Sequence, residues 1–404
     1  MKYVVILGDG MADYCQEALN GKTPLAVANK PNIDGLCAYS EVGLCKTIPD
    51  GMKPGSDVAN LSVLGYDPKE CYTGRSPLEA ASIGIELLDS FVTARANLVT
   101  LSNEDNFEDK TMIDYSAGEI STAEAKELIE YLAKHLNDEK YKLYAGISYR
   151  HCLVVENGTV AGDLIPPHDF TGKPVKDKLP QSEQGKEYLK LMKRSCELLK
   201  DHPVNLKRIK DGKNPANSLW FWGEGTKPAL QSFYDRYGIK GSMISAVDLL
   251  KGIGKLTGMD VIEVEGATGN YDTNFTGKAN ACIESLKNGN DFCYIHMEAP
   301  DECGHHGDLE HKIFSIEQID KLVVGPVISE LKNMGEDYAI LVCPDHPTPI
   351  ATKTHCANPV PYLIYKSNKN FDGKIAKKYD EENAESTKNY IENGVLLMQK
   401  FLKG

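Results

Sequence analysis

Four acidic residues and two histidines lie within one short stretch, EAPDECGHHGD, at residues 298–308. Asp301 and His305 are four positions apart there, and after a strand end such a pair can converge on one cation. A solvated turn explains this pair equally well when it is taken alone. The metal interpretation therefore depends on whether similar groups occur elsewhere in the chain.

Similar groups do occur at other expected strand ends. Asp345 and His346 form a second acid and imidazole pair in CPDH, Asp9 follows the first apolar run, and His355 lies just downstream in KTHC. Carboxylate and imidazole ligands without thiolates suit Mn²⁺, Zn²⁺ or Mg²⁺, and there are enough of them for two ions. Two ions about 3.5–4 Å apart clamp the attacking and leaving oxygens of a phosphoryl displacement.

A candidate nucleophile lies in the turn-rich segment KPGSDVANLSVLGYDP. Ser56 follows Pro-Gly and precedes an apolar stretch, so its hydroxyl can lie at a helix start among backbone N–H groups. A serine hydroxyl becomes a good nucleophile when a base or a metal removes its proton. The alternative for Ser56 is an ordinary N-cap.

The residues that must position these groups form a repeated pattern. Three apolar runs end in acidic residues and are predicted to be buried strands: KYVVILGD, DFCYIHMEAPD and DYAILVCPDH. Helical patterns such as TGKANACIESLKNG lie between them. Alternating strands and helices predict an α/β fold with a doubly wound, mostly parallel sheet, in which sites gather at the carboxyl ends of the strands.

The middle of the chain has a different pattern of segments, and this pattern predicts an inserted domain. Strand, helix and strand patterns are followed there by the Pro-rich connector LIPPHDFTGKPVKDKLPQ. We expect a smaller α/β domain over residues 76–184, which interrupts a metal-binding core made of residues 1–75 and 185–404.

Composition excludes several classes of partner. The chain has 404 residues, enough for two domains, and a net charge of −13, which disfavours binding to nucleic acid or anionic membranes. Its eleven cysteines form no CxxC pair, which favours a reducing compartment. Since no signal-peptide core or 18-residue apolar run is present, we expect a cytoplasmic protein without a membrane span. No pattern indicates an oligomeric state.

Four blocks carry a family resemblance: PDG…GSDVANLSVLGYDP…GR, EAPDECGHHGDLEHKIFSIEQID, CPDH and KTHCANPVPYLIY. Together they resemble the shorter, archaeal-type branch of the cofactor-independent phosphoglycerate mutases, within the alkaline phosphatase superfamily. The likeness covers most of the chain, from VVILGDGMAD to NPVPYL. It implies an alkaline phosphatase-like core and interconversion of 3-phosphoglycerate and 2-phosphoglycerate without bisphosphoglycerate.

The resemblance also implies roles for individual residues. Ser56 would carry a transient phosphoryl group, and two divalent ions, most simply Mn²⁺, with Zn²⁺ or Mg²⁺ as alternatives, would lie beside it. The implied ligands are Asp9, Ser56, Asp345 and His346 for one ion, and Asp301, His305 and His355 for the other.

Groups that hold the substrate are predicted from local context, because the arginines and aspartate of the longer branch have no close match here. Arg150 and His151 in ISYRHC are expected to bind phosphate or carboxylate and to move the proton of a glycerate hydroxyl. An exposed basic pair is the alternative. Arg75 is a second candidate for binding the anion, and Lys240 and Lys251 are weaker ones.

Other functions share the metals and the serine. A phosphatase, or a mutase of another small phosphate ester such as a pentose phosphate, is the nearest alternative. A mutase must exclude water while phosphoserine exists, which we expect closure of the inserted domain over the core to achieve. A catalytically silent metal-binding protein is a third possibility, which the complete ligand set disfavours.

Overall fold

A computed structural model describes residues 1–403 of the chain. The polypeptide divides into two compact units: the first contains Met1–Tyr72 and the chain from Ala229 onward, and the second is Thr73–Pro228. None of the helices within residues 1–403 has the length and apolarity that crossing a bilayer requires.

Strands and helices are numbered in chain order. The strands are β1 Lys2–Gly8, β2 Ser40–Cys45, β3 Phe91–Leu101, β4 Met112–Asp114, β5 Tyr141–Ile147, β6 Arg150–Glu156, β7 Ser218–Thr226, β8 Gly241–Ile244, β9 Asp260–Ile262, β10 Phe292–Met297, β11 Tyr338–Cys343, β12 Val360–Lys366 and β13 Tyr390–Ile391. The α-helices are α1 Pro24–Val27, α2 Pro31–Leu36, α3 Ser56–Val63, α4 Pro68–Cys71, α5 Ser76–Ser82, α6 Thr122–Leu136, α7 Glu183–Leu199, α8 Pro203–Lys210, α9 Phe233–Tyr237, α10 Asp248–Leu256, α11 Phe275–Lys287, α12 Ala299–His306, α13 Leu309–Gln318, α14 Gly325–Met334, α15 Glu381–Thr387 and α16 Val395–Lys403.

The first unit is built on a sheet in the order β13-β2-β12-β11-β1-β10-β8-β9. Strands β11, β1, β10, β8 and β9 run parallel to one another, whereas β12 is antiparallel to both β11 and β2. The predicted α/β fold with a mostly parallel sheet is confirmed.

Helices cover both faces of this sheet. Val4 and Ile6 of β1 belong to a core cluster that includes residues of α11 and α14. Tyr3 points to the other face, where its ring centroid lies 5.7 Å from that of Phe401 in α16. Every residue of β10 and β11 is buried, which explains why these strands are continuous apolar runs without alternation.

The predicted ligands follow three adjacent parallel strands. Asp9 comes directly after β1, Asp301 lies in the first turn of α12 after β10, and Asp345 follows β11 by two residues. Because β10, β1 and β11 are neighbours and run parallel, their carboxyl ends meet at one edge of the sheet.

The second unit contains an antiparallel sheet in the order β4-β3-β6-β5, with β7 also paired to β3. The unit ends at Pro228, not near the predicted residue 184. The difference arises because β7 pairs along most of β3, a long-range register that a shift in local composition does not reveal.

Candidate metal centre

Asp9, Asp345 and His346 converge at the carboxyl edge of the first unit's sheet. All three are buried and form one compact group of potential ligands. His346 Nε2 lies 3.7 Å from Asp9 Oδ1 and 3.4 Å from Asp345 Oδ2. The Ser56 hydroxyl lies 3.2 Å from the same nitrogen. The structure therefore brings together the four side chains expected around one ion.

Asp301, His305 and His355 form a second convergent set. His305 Nε2 lies 2.9 Å from His355 Nε2 and 3.2 Å from Asp301 Oδ2, and His355 Nε2 lies 3.4 Å from Asp301 Oδ1. Ligands bonded to one ion at about 2.1 Å lie roughly 3.0–3.4 Å apart, so these spacings match those of neighbours in one coordination sphere.

His346 connects the two sets. It forms a compact group of potential ligands with Asp301 and His355, in addition to its group with Asp9 and Asp345. Its ring centroid lies 4.0 Å from that of His355. Two ions held by these groups would therefore be neighbours, as a two-ion phosphoryl-transfer site requires.

The charge of the site calls for a cation. Burial raises the pKa of Asp9 well above its usual value, and the nearby Asp345 and Asp301 carboxylates raise it further. Among the described residues, Asp9 Oδ1 has no hydrogen-bond partner. A buried carboxylate with one unpartnered oxygen, beside two further carboxylates, is stable as an anion only with positive charge close by. The donor set thus fits divalent ions.

Hydrogen bonding gives Asp301 the opposite behaviour. Burial alone would raise its pKa, but hydrogen bonds from His305 and His355 hold that pKa well below the usual value. The same contact with Asp301 is the main cause that raises the pKa of His305 to about 9.

Ser56 is not a helix cap. It is the first residue of α3, and the cap position belongs to Gly55, which makes no side-chain capping bond. The alternative of an N-cap serine therefore does not hold, and the Ser56 side chain contacts His346 instead.

Asn60 is a site residue that the sequence analysis missed. Its side-chain nitrogen donates to Asp345 Oδ2 at 2.9 Å and to the Ser56 carbonyl at 2.8 Å. The Tyr294 hydroxyl donates to the Asn60 side-chain oxygen at 2.6 Å. The signal was available, because Asn60 lies one helical turn after Ser56 and so shares its face.

Thr348 is a second missed residue. Its hydroxyl donates to Asp301 Oδ1 and lies 3.3 Å from His346 Nδ1. Its carbonyl accepts from Lys312 Nζ at 2.8 Å, and this fully buried ammonium also pairs with Asp13 at 2.7 Å. No local sequence pattern indicated this connection.

In the second unit, two guanidinium groups contact the Glu79 carboxylate, and the charge of a third, that of Arg150, also acts on it. Arg75 Nε donates to Glu79 Oε1 at 2.9 Å, and Arg95 Nε lies 2.8 Å from Glu79 Oε2. Burial alone would raise the pKa of Glu79, but Arg95, Arg75 and Arg150 together lower it. Arg95, which the sequence analysis missed, is buried with its guanidinium 4.0 Å from the centre of the Trp222 ring. The cluster carries an excess of positive charge.

The proton-transfer role expected for His151 does not fit the structure. The side chain is buried, and its Nδ1 accepts a hydrogen bond from the Gly146 backbone N–H at 3.0 Å. Burial, with a contribution from Arg150, lowers its pKa to about 3. A neutral ring whose Nδ1 is an acceptor carries its proton on Nε2, and that nitrogen has no hydrogen-bond partner among the described residues.

Neither predicted lysine lies at the metal centre. Lys240 directly precedes β8, so it lies at the amino edge of the sheet, opposite the metal ligands. Lys251 pairs with Glu263 at 2.7 Å. Both were the weaker candidates of the sequence analysis, because a lysine beside glycines is usually only a surface charge.

Comparison with known proteins identifies the family. The family model for 2,3-bisphosphoglycerate-independent phosphoglycerate mutase matches residues 38–205. A probable 2,3-bisphosphoglycerate-independent phosphoglycerate mutase of Geobacter sulfurreducens is 47% identical over 100% of both chains. The chain belongs to this family. A family member from Methanosarcina barkeri is 50% identical over 95% of both chains.

Two solved structures are also similar to this chain over nearly its whole length. The PH0037 protein of Pyrococcus horikoshii superposes with a TM-score of 0.81 at 29% identity, over 99% of this chain and 96% of that one. The cofactor-independent phosphoglycerate mutase of Thermoplasma acidophilum gives 0.65 at 26% identity, over 100% and 99%. The resemblance inferred from the four sequence blocks is confirmed.

Proposed function

We propose that the chain interconverts 3-phosphoglycerate and 2-phosphoglycerate without a bisphosphoglycerate cofactor, through a phosphoserine at Ser56. Membership of the mutase family supports the reaction. The observation that carries the residue assignment is the Ser56 hydroxyl, 3.2 Å from His346 and at the start of α3. The relatives favour a mutase over the phosphatase and pentose phosphate alternatives.

The proposed chemistry has two halves. In the first, Ser56 Oγ bonds to phosphorus while the bond between phosphorus and glycerate O3 breaks, and the serine proton is transferred to O3. In the second, glycerate O2 bonds to phosphorus, the bond to Ser56 Oγ breaks, and the O2 proton returns to the serine. No water enters the balance, so the retained glycerate must be the acceptor in preference to solvent.

We propose two divalent ions, with Mn²⁺ as the first candidate and Zn²⁺ or Mg²⁺ as alternatives. When bound, such ions neutralise charge on the phosphoryl oxygens and favour the serine alkoxide. The proposed ligands are Asp9, Ser56, Asp345 and His346 for one ion, and Asp301, His305 and His355 for the other.

The chain's own residues prepare the serine and its surroundings. Asn60 fixes both the Ser56 backbone and the Asp345 carboxylate, so the nucleophile and a ligand keep a constant relation. The Thr348 hydroxyl contacts both Asp301 and His346, so these two side chains also keep a constant relation. Holding these groups before substrate arrives lowers the reorganisation that the reaction requires.

In the second unit we propose that Arg75 and Arg150 bind the anionic groups of phosphoglycerate. A guanidinium can donate two parallel hydrogen bonds to a phosphate or carboxylate. Arg95 and Glu79 would act as their support, because Arg95 is buried, Glu79 is half-buried, and Glu79 already aligns Arg75. The excess positive charge of the cluster supports this role within a chain whose net charge is −13.

We also propose a cytoplasmic enzyme that acts on a small phosphorylated acid. Each of the eleven cysteines is a free thiol, and most are buried. This supports a reducing compartment.

Phosphorus NMR tests the reaction directly. Incubation with 3-phosphoglycerate and Mn²⁺, without bisphosphoglycerate, is expected to give 2-phosphoglycerate with little inorganic phosphate. Ser56→Ala should lower the rate by a factor of about 10³ or more, since the covalent route is lost. Ser62→Ala is the matched control, because Ser62 lies on the same helix and its hydroxyl donates to the Val58 carbonyl.

Two results would contradict the proposal. Inorganic phosphate as the main product would make the protein a phosphatase. Full mutase activity in Ser56→Ala would exclude the phosphoserine route while leaving the reaction itself intact.

A further inference from the structure

Polar side chains alternate along the end of β10 in the otherwise apolar sequence YIHME. Alternation along a strand gives Tyr294, His296 and Glu298 a common side, while Ile295 and Met297 enter the apolar core cluster. Tyr294 already contacts the site through Asn60. The two polar residues that follow it are fully or almost fully buried and have no role in the proposed reaction.

His296 lies between two carboxylates. Its Nε2 is 3.0 Å from Asp9 Oδ2, and its Nδ1 is 3.0 Å from Glu298 Oε1. The parallel pairing of β10 with β1 sets this contact, because His296 lies opposite Leu7, two residues before Asp9. Among the described residues, His296 belongs to neither compact group of potential metal ligands. It therefore touches a ligand without being part of either group.

Glu298 makes further contacts in addition to the one with His296. Its Oε1 accepts from the Ala246 backbone N–H at 2.8 Å and from the Ser245 hydroxyl at 2.9 Å, and its Oε2 pairs with Lys278 Nζ. Burial alone would raise the pKa of Glu298, but Lys278 and His296 hold it well below its usual value. Lys278 also donates to the His296 carbonyl at 2.8 Å.

We propose that Lys278, Glu298 and His296 form a buried chain of contacts that fixes the orientation of the Asp9 carboxylate. Asp9 Oδ2 lies within ion-pair distance of His296 Nε2, at 3.0 Å, although the two form no hydrogen bond, and Oδ1 lies 3.7 Å from His346 Nε2 in the same ligand group. His296 is thus a positioning residue for an ion at Asp9. Outer contacts of this kind typically change metal affinity by about 10–100-fold. The inference rests on the proposed metal centre.

Two substitutions of His296 separate positioning from a merely structural role. In His296→Gln, the side-chain amide nitrogen takes roughly the place of Nε2 and can donate to Asp9. In His296→Asn, the shorter amide reaches only the place of Nδ1, so it contacts Glu298 and leaves Asp9 unsupported. A structural role would make the two variants similar, whereas positioning makes Gln the functional replacement.

The experiment is titration of the metal-free, full-length protein with Mn²⁺ by calorimetry. The wild-type chain is expected to bind two ions. His296→Asn should weaken one of them by about 10–100-fold, while His296→Gln should stay within about threefold of wild type. Ser245→Ala, which removes hydroxyl contacts to Glu298 Oε1 and to His296 Nδ1, should weaken the same ion by about 2–10-fold. Urea unfolding of each metal-free variant reports any loss of folding.

Several outcomes would overturn the inference. These are wild-type affinity in folded His296→Asn, equal weakening in both His296 variants, or complete loss of one ion in His296→Gln, which would make His296 a ligand. If the folding test excludes His296→Asn, wild-type affinity in Ser245→Ala overturns it. Failure of the wild-type chain to bind Mn²⁺ would reject the metal centre itself, and the inference with it.

Discussion

Replacing His151 with Asn tests whether this buried imidazole stays neutral in the folded protein. Burial and, to a smaller extent, Arg150 lower its pKa from 6.5 to about 3. Below about pH 6.5 the unfolded chain therefore binds a proton at His151, whereas the folded chain does not. Stability falls as the pH drops from about 6.5 to about 3, because the unfolded state binds more protons in that range.

The size of the effect follows from the same values. At pH 5 the unfolded imidazole is about 1.5 pH units below its pKa, and each unit is worth about 1.36 kcal/mol. Between pH 7 and pH 5 His151 should therefore cost the folded state about 2 kcal/mol. His151→Asn removes this loss, and the Asn side-chain oxygen can still accept the hydrogen bond from the Gly146 N–H.

The assay is urea unfolding of wild type and His151→Asn at pH 7 and pH 5. The decrease in the free energy of unfolding should be about 2 kcal/mol smaller for the variant. His135→Gln, which removes an exposed histidine from the same unit, is the matched control. An equal decrease in wild type and His151→Asn would refute the reasoning, and would restore His151 as a candidate for proton transfer.

Two further predictions concern charged groups. Arg150→Gln should raise KM for 3-phosphoglycerate by about 10–100-fold with a smaller change in kcat, since a charge-assisted contact is worth about 1.5–3 kcal/mol. Steady-state kinetics measure this, with Lys134→Gln as the control. An unchanged KM would remove Arg150 from the proposed site. Lys312→Met should lower the free energy of unfolding by about 3–5 kcal/mol, because it leaves the Asp13 charge buried and unpaired. Adding Asp13→Asn should restore part of this in urea unfolding, and simple additivity of the two changes would contradict a direct interaction.

The convergence of the proposed ligands was predictable because three of them follow apolar runs that end in acidic residues. Adjacent parallel strands bring such ends together, so Asp9, Asp301 and Asp345 could be grouped without knowing any distance. Ser56 could be found from the turn before it. These inferences use only strand direction and the residues that end strands or form turns, and both can be recognised in the local sequence.

Arg95 and His151 were harder for a physical reason. Arg95 lies inside the apolar strand FVTARANLVTL, and its burial depends on Trp222, more than a hundred residues later, and on Glu79. His151 follows an arginine, a sequence typical of an exposed basic pair, yet in β6 Arg150 is exposed and His151 is buried. Strand register and long-range pairing decide both cases, and local composition contains neither.

The residues that support the ligands have an energetic reason to be buried and polar. Asp9, Asp345 and Asp301 repel one another, and without positive charge their carboxylates would turn apart or take up protons. In the folded protein, Asn60 contacts the Asp345 carboxylate and His296 contacts that of Asp9. The free energy of folding of the first unit then offsets most of the repulsion between these carboxylates. Less of the binding free energy of an ion is therefore needed to order its ligands.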